Sequence, residues 1–201
     1  VRTFLALPLE PAVRQELVRY QQACARMIAN VKWVEEENLH LTLKFLGEVP
    51  EEKLAEVISV AGKVAARFPA LTLPLGRPGA FPNLGRARVL WVGLADDGDK
   101  LRLLARQLEQ ELALLGFPQE ERAFVAHLTL GRLRKPARVV LPPFSGEGMP
   151  VRLLKVVFYR SVLTPRGPLY QTLSEFELSR LNKGARNYGK AEGFRNGAPS
   201  D

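Results

Sequence analysis

The chain has two histidines, and the same three residues follow each of them: His40-Leu41-Thr42-Leu43 and His127-Leu128-Thr129-Leu130. Around the first copy, Leu39, Leu41, Leu43 and Phe45 alternate with Asn38, His40, Thr42 and Lys44. That is the period of a strand with one buried and one wet face. Residues two apart in a strand point the same way, so each copy presents an imidazole and a hydroxyl on one side and hides two leucines on the other. A single copy reads as an ordinary half-buried strand that tolerates a histidine. Two copies call for a fold with two such strands, which a pseudo-twofold arrangement of the halves would set face to face.

The rest of the chain fits that division. Arg2 to Leu7 (RTFLAL) reads as a short buried strand, and the prolines after it open a helix to about Met27. An extended VKWV segment and the acids Glu35 to Glu37 lead into the first motif strand. Pro50-Glu51-Glu52 opens a helix to about Arg67. The segments LTLPLGRPGAFP and ARVLWVGL form two strands with a hairpin turn at Asn83 to Arg86. An amphipathic helix from Lys100 to Leu115 stops at Gly116 and Pro118, before the second motif strand AFVAHLTLGRL. Arg134 to Pro150 is rich in proline and is expected to be a loop crossing between lobes. VRLLKVVFYRSVL and PLYQTLSEFEL close the chain as a hairpin around Thr164 to Gly167. The expected fold is α+β and bilobal, with two pseudo-symmetric, mostly antiparallel sheets flanking a central cleft and helices on the outer faces. Residues 1–181 would form one such domain. Residues 182–201 lack apolar periodicity and are expected to be a flexible basic tail.

At 201 residues and 46% hydrophobic, the chain can bury a substantial core. No apolar run approaches the roughly 20 residues of a membrane span, and prolines and acids interrupt the opening segment before it could act as a signal peptide. A cytoplasmic protein with no membrane contact is therefore expected. Cys24 is the one cysteine and has no intramolecular partner; its reading is a small buried helix residue. The net charge of +8 favours a polyanionic partner, although an arginine-rich composition equally fits heat adaptation.

An imidazole titrates near neutral pH, so two facing histidines can supply a base and an acid together. The threonine hydroxyls can donate to nonbridging phosphate oxygens and stabilise charge on a pentavalent phosphorus. Such a site calls for no metal and no cofactor. Zinc is the competing use of two histidines, but a catalytic zinc normally takes three protein ligands, and the sequence has neither a His-Glu-x-x-His helix nor paired cysteines.

The doubled His-x-Thr-x motif, the opening RTFLALPL and the closing SVLTPRGPLYQTL resemble the two-histidine phosphoesterase superfamily over about residues 1 to 180. Within it, the chain is similar to the RNA 2′,3′-cyclic phosphodiesterases historically named 2′-5′ RNA ligases. The resemblance implies a bilobal α+β fold and hydrolysis of RNA 2′,3′-cyclic phosphate ends to 2′-phosphomonoesters; tRNA ends or other RNA fragments are the expected substrates, and a monomer the expected state. It makes His40 the proton donor and His127 the proton acceptor, an assignment that the symmetric motifs cannot supply. Thr42 and Thr129 complete the catalytic set.

The second motif continues to Arg132, a candidate phosphate ligand if Gly131 lets the strand bulge and turn the side chain round. The equivalent residue in the first copy is Phe45, which can stack a base or join the core. Arg160 and Ser161 open the closing hairpin and are candidates to line the cleft, with Tyr159 and Tyr170 as base contacts. Lys44 is expected to face solvent, and Trp33 and Trp91 to pack in the core. Two rival readings use the same residues: 2′-5′ joining of tRNA halves at the same site run in reverse, and a noncatalytic module that holds an RNA end.

Overall fold

A computed structural model of the protein describes residues 1–96 and 98–179; the expected tail lies outside the described residues. The chain runs β1 (Arg2–Pro8), α1 (Pro11–Ala25), β2 (Val31–Trp33), β3 (His40–Glu48), α2 (Leu54–Ala65), β4 (Leu71–Phe81), β5 (Ala87–Leu94), α3 (Lys100–Ala113), β6 (His127–Ala137), β7 (Pro150–Leu153), β8 (Lys155–Thr164) and β9 (Gly167–Glu177). These strands make two antiparallel sheets, one in the order β3-β1-β8-β9 and the other β2-β6-β5-β4-β7. The architecture is the expected α+β pair of sheets with a motif strand in each. The first motif lies on an edge strand and the second on an interior one.

Local chemistry sets the element boundaries. Pro11 starts α1 with the φ a first helical turn needs. At α3, the Asp96 carboxylate accepts from the Leu101 and Arg102 amides, both at 3.1 Å, satisfying donors that the helix leaves unpaired. Gly116, at a φ of 90°, ends the turn after α3. Asn83 caps the expected turn between β4 and β5 by accepting from the Arg86 amide at 3.0 Å. Helix α3 buries Leu101, Leu104, Leu108 and Leu112 completely, at about 1.5–3 kcal/mol each. It packs with α2 against the four-stranded sheet, while α1 reaches the five-stranded one.

Two expectations need correction. The proline-rich segment is not the crossing between sheets, because β6 continues to Ala137 and the following loop leads to β7 in the same sheet. The crossing is at Leu154, which splits VRLLKVVFYRSVL into β7 and β8 in different sheets. Its carbonyl accepts from the Leu178 amide at 2.9 Å, which anchors the chain where it changes sheet. No turn residue marks this break, so an apolar run hides it.

Candidate active site

Both motif strands bulge at the same residue. Against β1, Lys44 pairs with Leu5 and Thr42 with Ala6, leaving Leu43 as the extra residue; against β5, Gly131 pairs with Leu90 and Thr129 with Trp91, leaving Leu130 extra. A bulge puts two consecutive side chains on one face and reverses the alternation beyond it. From the histidine onward, each strand is half-buried, buried, half-buried, buried, buried, exposed. Lys44 and Gly131 therefore turn inward, while Phe45 and Arg132 return to the face that carries His40, Thr42, His127 and Thr129.

The inward turn corrects the reading of Lys44, which is buried rather than in solvent. Its Nζ donates to the Glu109 carboxylate at 2.7 Å and to the Pro118 carbonyl at 2.9 Å, tying the first motif to α3. The second copy has no room for such a side chain. Even a Cβ on Gly131 would come within 2.6 Å of Val31 Cγ1 and 2.9 Å of Trp33 Cε3, because β2 lies over it. On the α1 side of that strand pair, buried Gln21 donates to the carbonyls of Val34 and Leu130, both at 2.8 Å, and so satisfies the bulge.

The two imidazoles are mounted alike. His40 Nδ1 lies 2.6 Å from the Asn38 carbonyl, and His127 Nδ1 lies 2.7 Å from the Val125 carbonyl. A carbonyl only accepts, so both Nδ1 atoms carry the proton and both Nε2 atoms are left for chemistry. His40 Nε2 is 2.9 Å from Thr42 Oγ1. The position two residues before each histidine supplies this fixing carbonyl, a signal present in both copies that no side-chain reading reveals. Asn38 also donates through Nδ2 to the Pro168 carbonyl at 2.9 Å, which holds the β8–β9 hairpin against the first motif.

The walls differ in their surroundings. His40 sits in an aromatic box, 5.1 Å from the Phe4 ring and edge-on to Tyr170 at 5.4 Å, with Tyr159 stacked on Phe4 at 5.3 Å. His127 meets Phe81 edge-on at 5.0 Å. Burial lowers the His40 pKa from its ordinary value; the Asn38 carbonyl opposes that shift, and the nearby charge of His127 adds to it. The two rings thus stand within electrostatic reach across the cleft, consistent with the direct approach of β3 and β6. Burial also raises the Tyr170 pKa, against the opposing pull of Arg132 and Arg2.

Of the expected binding residues, the structure brings most to this face. Arg132 is exposed there, and Phe45 is 63% exposed with its ring 5.9 Å from Phe4, so it is not a core residue. Ser161 pairs with Tyr170 and shares a face with Tyr159. Arg160 does not join them: it pairs with buried Thr3 and alternates to the opposite face of β8. Trp33 packs against the core as expected, whereas Trp91 lies on the cleft face opposite Thr129, its ring over Gly79 and beside Phe81. Phe4, Phe81 and Arg2 are additions that the motif alone did not reveal. A zinc site would need a third donor beside the imidazoles, and no cluster of three His, Cys, Asp or Glu side chains occurs among the described residues.

A family model described as LigT-like phosphoesterase matches residues 7–91 and again 92–170. The RNA 2′,3′-cyclic phosphodiesterase of Methanothermobacter thermautotrophicus is 37% identical over 184 residues, covering 89% of this chain and 99% of the relative. That of Archaeoglobus fulgidus is 38% identical over 183 residues, covering 88% and 100%. Among solved structures, a Thermus thermophilus protein superposes with a TM-score of 0.79 at 32% identity, and Escherichia coli LigT complexed with 3′-AMP with a TM-score of 0.76 at 30% identity. Each pair covers 89% of this chain and 98% of the other.

Proposed function

The chain belongs to the LigT-like phosphoesterase family, and from that premise we propose that it hydrolyses RNA 2′,3′-cyclic phosphate ends to 2′-phosphomonoesters by paired histidine catalysis without a metal ion. The carrying observation is the matched mounting of the two rings, in which a carbonyl fixes each Nδ1–H and turns one unprotonated Nε2 to the cleft from each wall. His127 Nε2 takes a proton from water as the water oxygen forms its bond to phosphorus. The bond from phosphorus to O3′ breaks in line, and protonated His40 gives its Nε2 proton to that oxygen. Neutral His40 accepts from the Thr42 hydroxyl. The arriving phosphate monoanion favours the imidazolium, which needs no such donor and frees the hydroxyl for a nonbridging oxygen. Thr129 serves from the opposite wall, Arg132 neutralises phosphate, and Phe45 stacks the terminal base, with Ser161 at the cleft edge.

The net charge of +8 supports RNA fragments, tRNA ends among them, as the substrate class. A monomer suffices, because both histidines and both threonines come from one chain. The free, buried Cys24 suits a reducing cytoplasm. The test is turnover of RNA ending in a 2′,3′-cyclic phosphate, with chelator present and the terminus identified chemically. His40→Ala and His127→Ala should each lower turnover about 10²–10⁴-fold. A 3′-phosphate product, zinc-dependent activity, or near-normal turnover in either variant would refute the mechanism. Joining of 2′-5′ ends would favour the ligase reading, and binding without any turnover the RNA-holding module.

A further inference from the structure

The bulge that returns Arg132 to the cleft face starts a line of positive charge, and beyond Arg132 the hydrolytic step does not use it. Lys32 pairs with Arg132 across β2 and β6, and paired residues share a face. Its neighbours Val31 and Trp33 pack on the other side, over Gly131, so Lys32 points into the cleft. On β6, Leu133 pairs with Val31 on the core side, so Arg134 alternates back to the face of Arg132. Lys32, Arg132 and Arg134 are all exposed, and none has an ion-pair partner among the described residues.

Nothing nearby in the sequence neutralises this line. Residues 28–34, 78–95 and 123–146 contain no Asp or Glu. The acids closest in sequence to Lys32, Glu35 and Glu36, line a groove with Val18, Gln22 and Trp33 on the α1 side. At the far end, where Ala87 pairs with Ala137, the chain adds Arg86, Arg88, Lys135 and Arg138. Arg132 and Arg134 lie about 6.6 Å apart along the strand, a spacing that suits successive phosphates of an extended single strand.

We propose that Lys32 and Arg134 bind the backbone phosphates upstream of the scissile end, so that the enzyme selects polynucleotide ends over cyclic mononucleotides. This inference rests on the hydrolase reading. It gives the face a polarity: the terminal nucleotide sits between the histidines, and the chain leaves along β6 toward the distal cations. The strip positions the polymer and does not enter the chemistry.

The test compares cytidine 2′,3′-cyclic monophosphate with a short oligoribonucleotide ending in the same group, for the wild-type protein and the double variant Lys32→Ala/Arg134→Ala. The variant should keep its kcat/KM for the mononucleotide and lose on the order of tenfold for the oligonucleotide through KM. The salt dependence of oligonucleotide binding should become shallower by about 0.7 for each phosphate that is no longer neutralised. Equal losses on both substrates, or none on the oligonucleotide, would overturn the proposal. If wild-type protein turns over neither substrate, the hydrolase reading fails instead. The strip is then read separately by fluorescence anisotropy of the labelled oligonucleotide, where unchanged binding by the double variant in a His127→Ala background refutes it.

Discussion

Gly131→Ala isolates what the second motif owes to its bulge. The new Cβ would lie 2.6 Å from Val31 Cγ1, 2.9 Å from Trp33 Cε3 and 3.1 Å from the Lys32 carbonyl. Carbon atoms rest at about 3.5–4.0 Å, so β2 must retreat by roughly 1 Å from β6. Overpacking of that kind costs about 1–3 kcal/mol. With a urea slope of roughly 2 kcal/mol/M, the unfolding midpoint should fall by about 0.5–1.5 M. The strain falls between Thr129 and Arg132, and a displacement near 1 Å at reacting groups can cost about 10²-fold in turnover. Urea unfolding and kcat/KM on cyclic phosphate-ended RNA measure the two effects on the same preparation. Adding Val31→Ala removes the closest clash and should restore part of both, so a double-mutant cycle must show a favourable coupling. An unchanged midpoint and unchanged kcat/KM in Gly131→Ala, or strictly additive effects with Val31→Ala, would refute the steric account.

The remaining predictions concern the first wall. Burial holds the His40 pKa in the folded protein below its ordinary 6.5, so in the window between the two values the unfolded chain binds the extra proton. His40 should therefore contribute its full stabilisation above pH 6.5 and lose it as pH falls through the folded value. Proton NMR of the His40 ring should show an inflection below 6.5 that moves upward when an inert phosphate analogue binds; an inflection above 6.5 in the free protein would remove the burial argument. Lys44→Ala should destabilise the fold by about 1–3 kcal/mol, because it removes the ammonium that pairs with Glu109 and leaves that carboxylate with the Glu120 amide as its donor, and chemical denaturation measures the loss. A change below about 1 kcal/mol would make the pair equivalent to a surface ion pair in its energetics.

The proposed catalytic side chains were legible because two strand motifs repeat, and strand period alone orients His40, Thr42, His127 and Thr129. What followed each motif was harder to read, since alternation holds only while the ladder is regular. The bulge at Leu43 sends Lys44 inward to a carboxylate sixty-five residues away, and no local pattern announces such a partner. Gly131 did signal the matching bulge, because a residue without a Cβ in a strand marks a close approach or an irregularity. Arg160 looked eligible because it begins a family-like segment, but its face depends on pairing with Thr3, which is a fact of tertiary structure. The aromatic box was invisible for the same reason: Phe4, Tyr159 and Tyr170 lie on three strands drawn from opposite ends of the chain. The break at Leu154 went unseen because apolar residues run through it without a glycine or proline.

The sheet order also governs how this protein must be made. β1 lies between β3 and β8, so when the first motif leaves the ribosome, one edge of β1 has no partner and waits for residues near the end of the described chain. At about 5–20 residues per second, that edge stays open for many seconds of synthesis. Before the last hairpin arrives, Phe4 and His40 also lack the two tyrosines that enclose them. A nascent chain therefore carries both histidines before it has a finished pocket, and that pocket closes only when β8 and β9 have been made and have docked on β1.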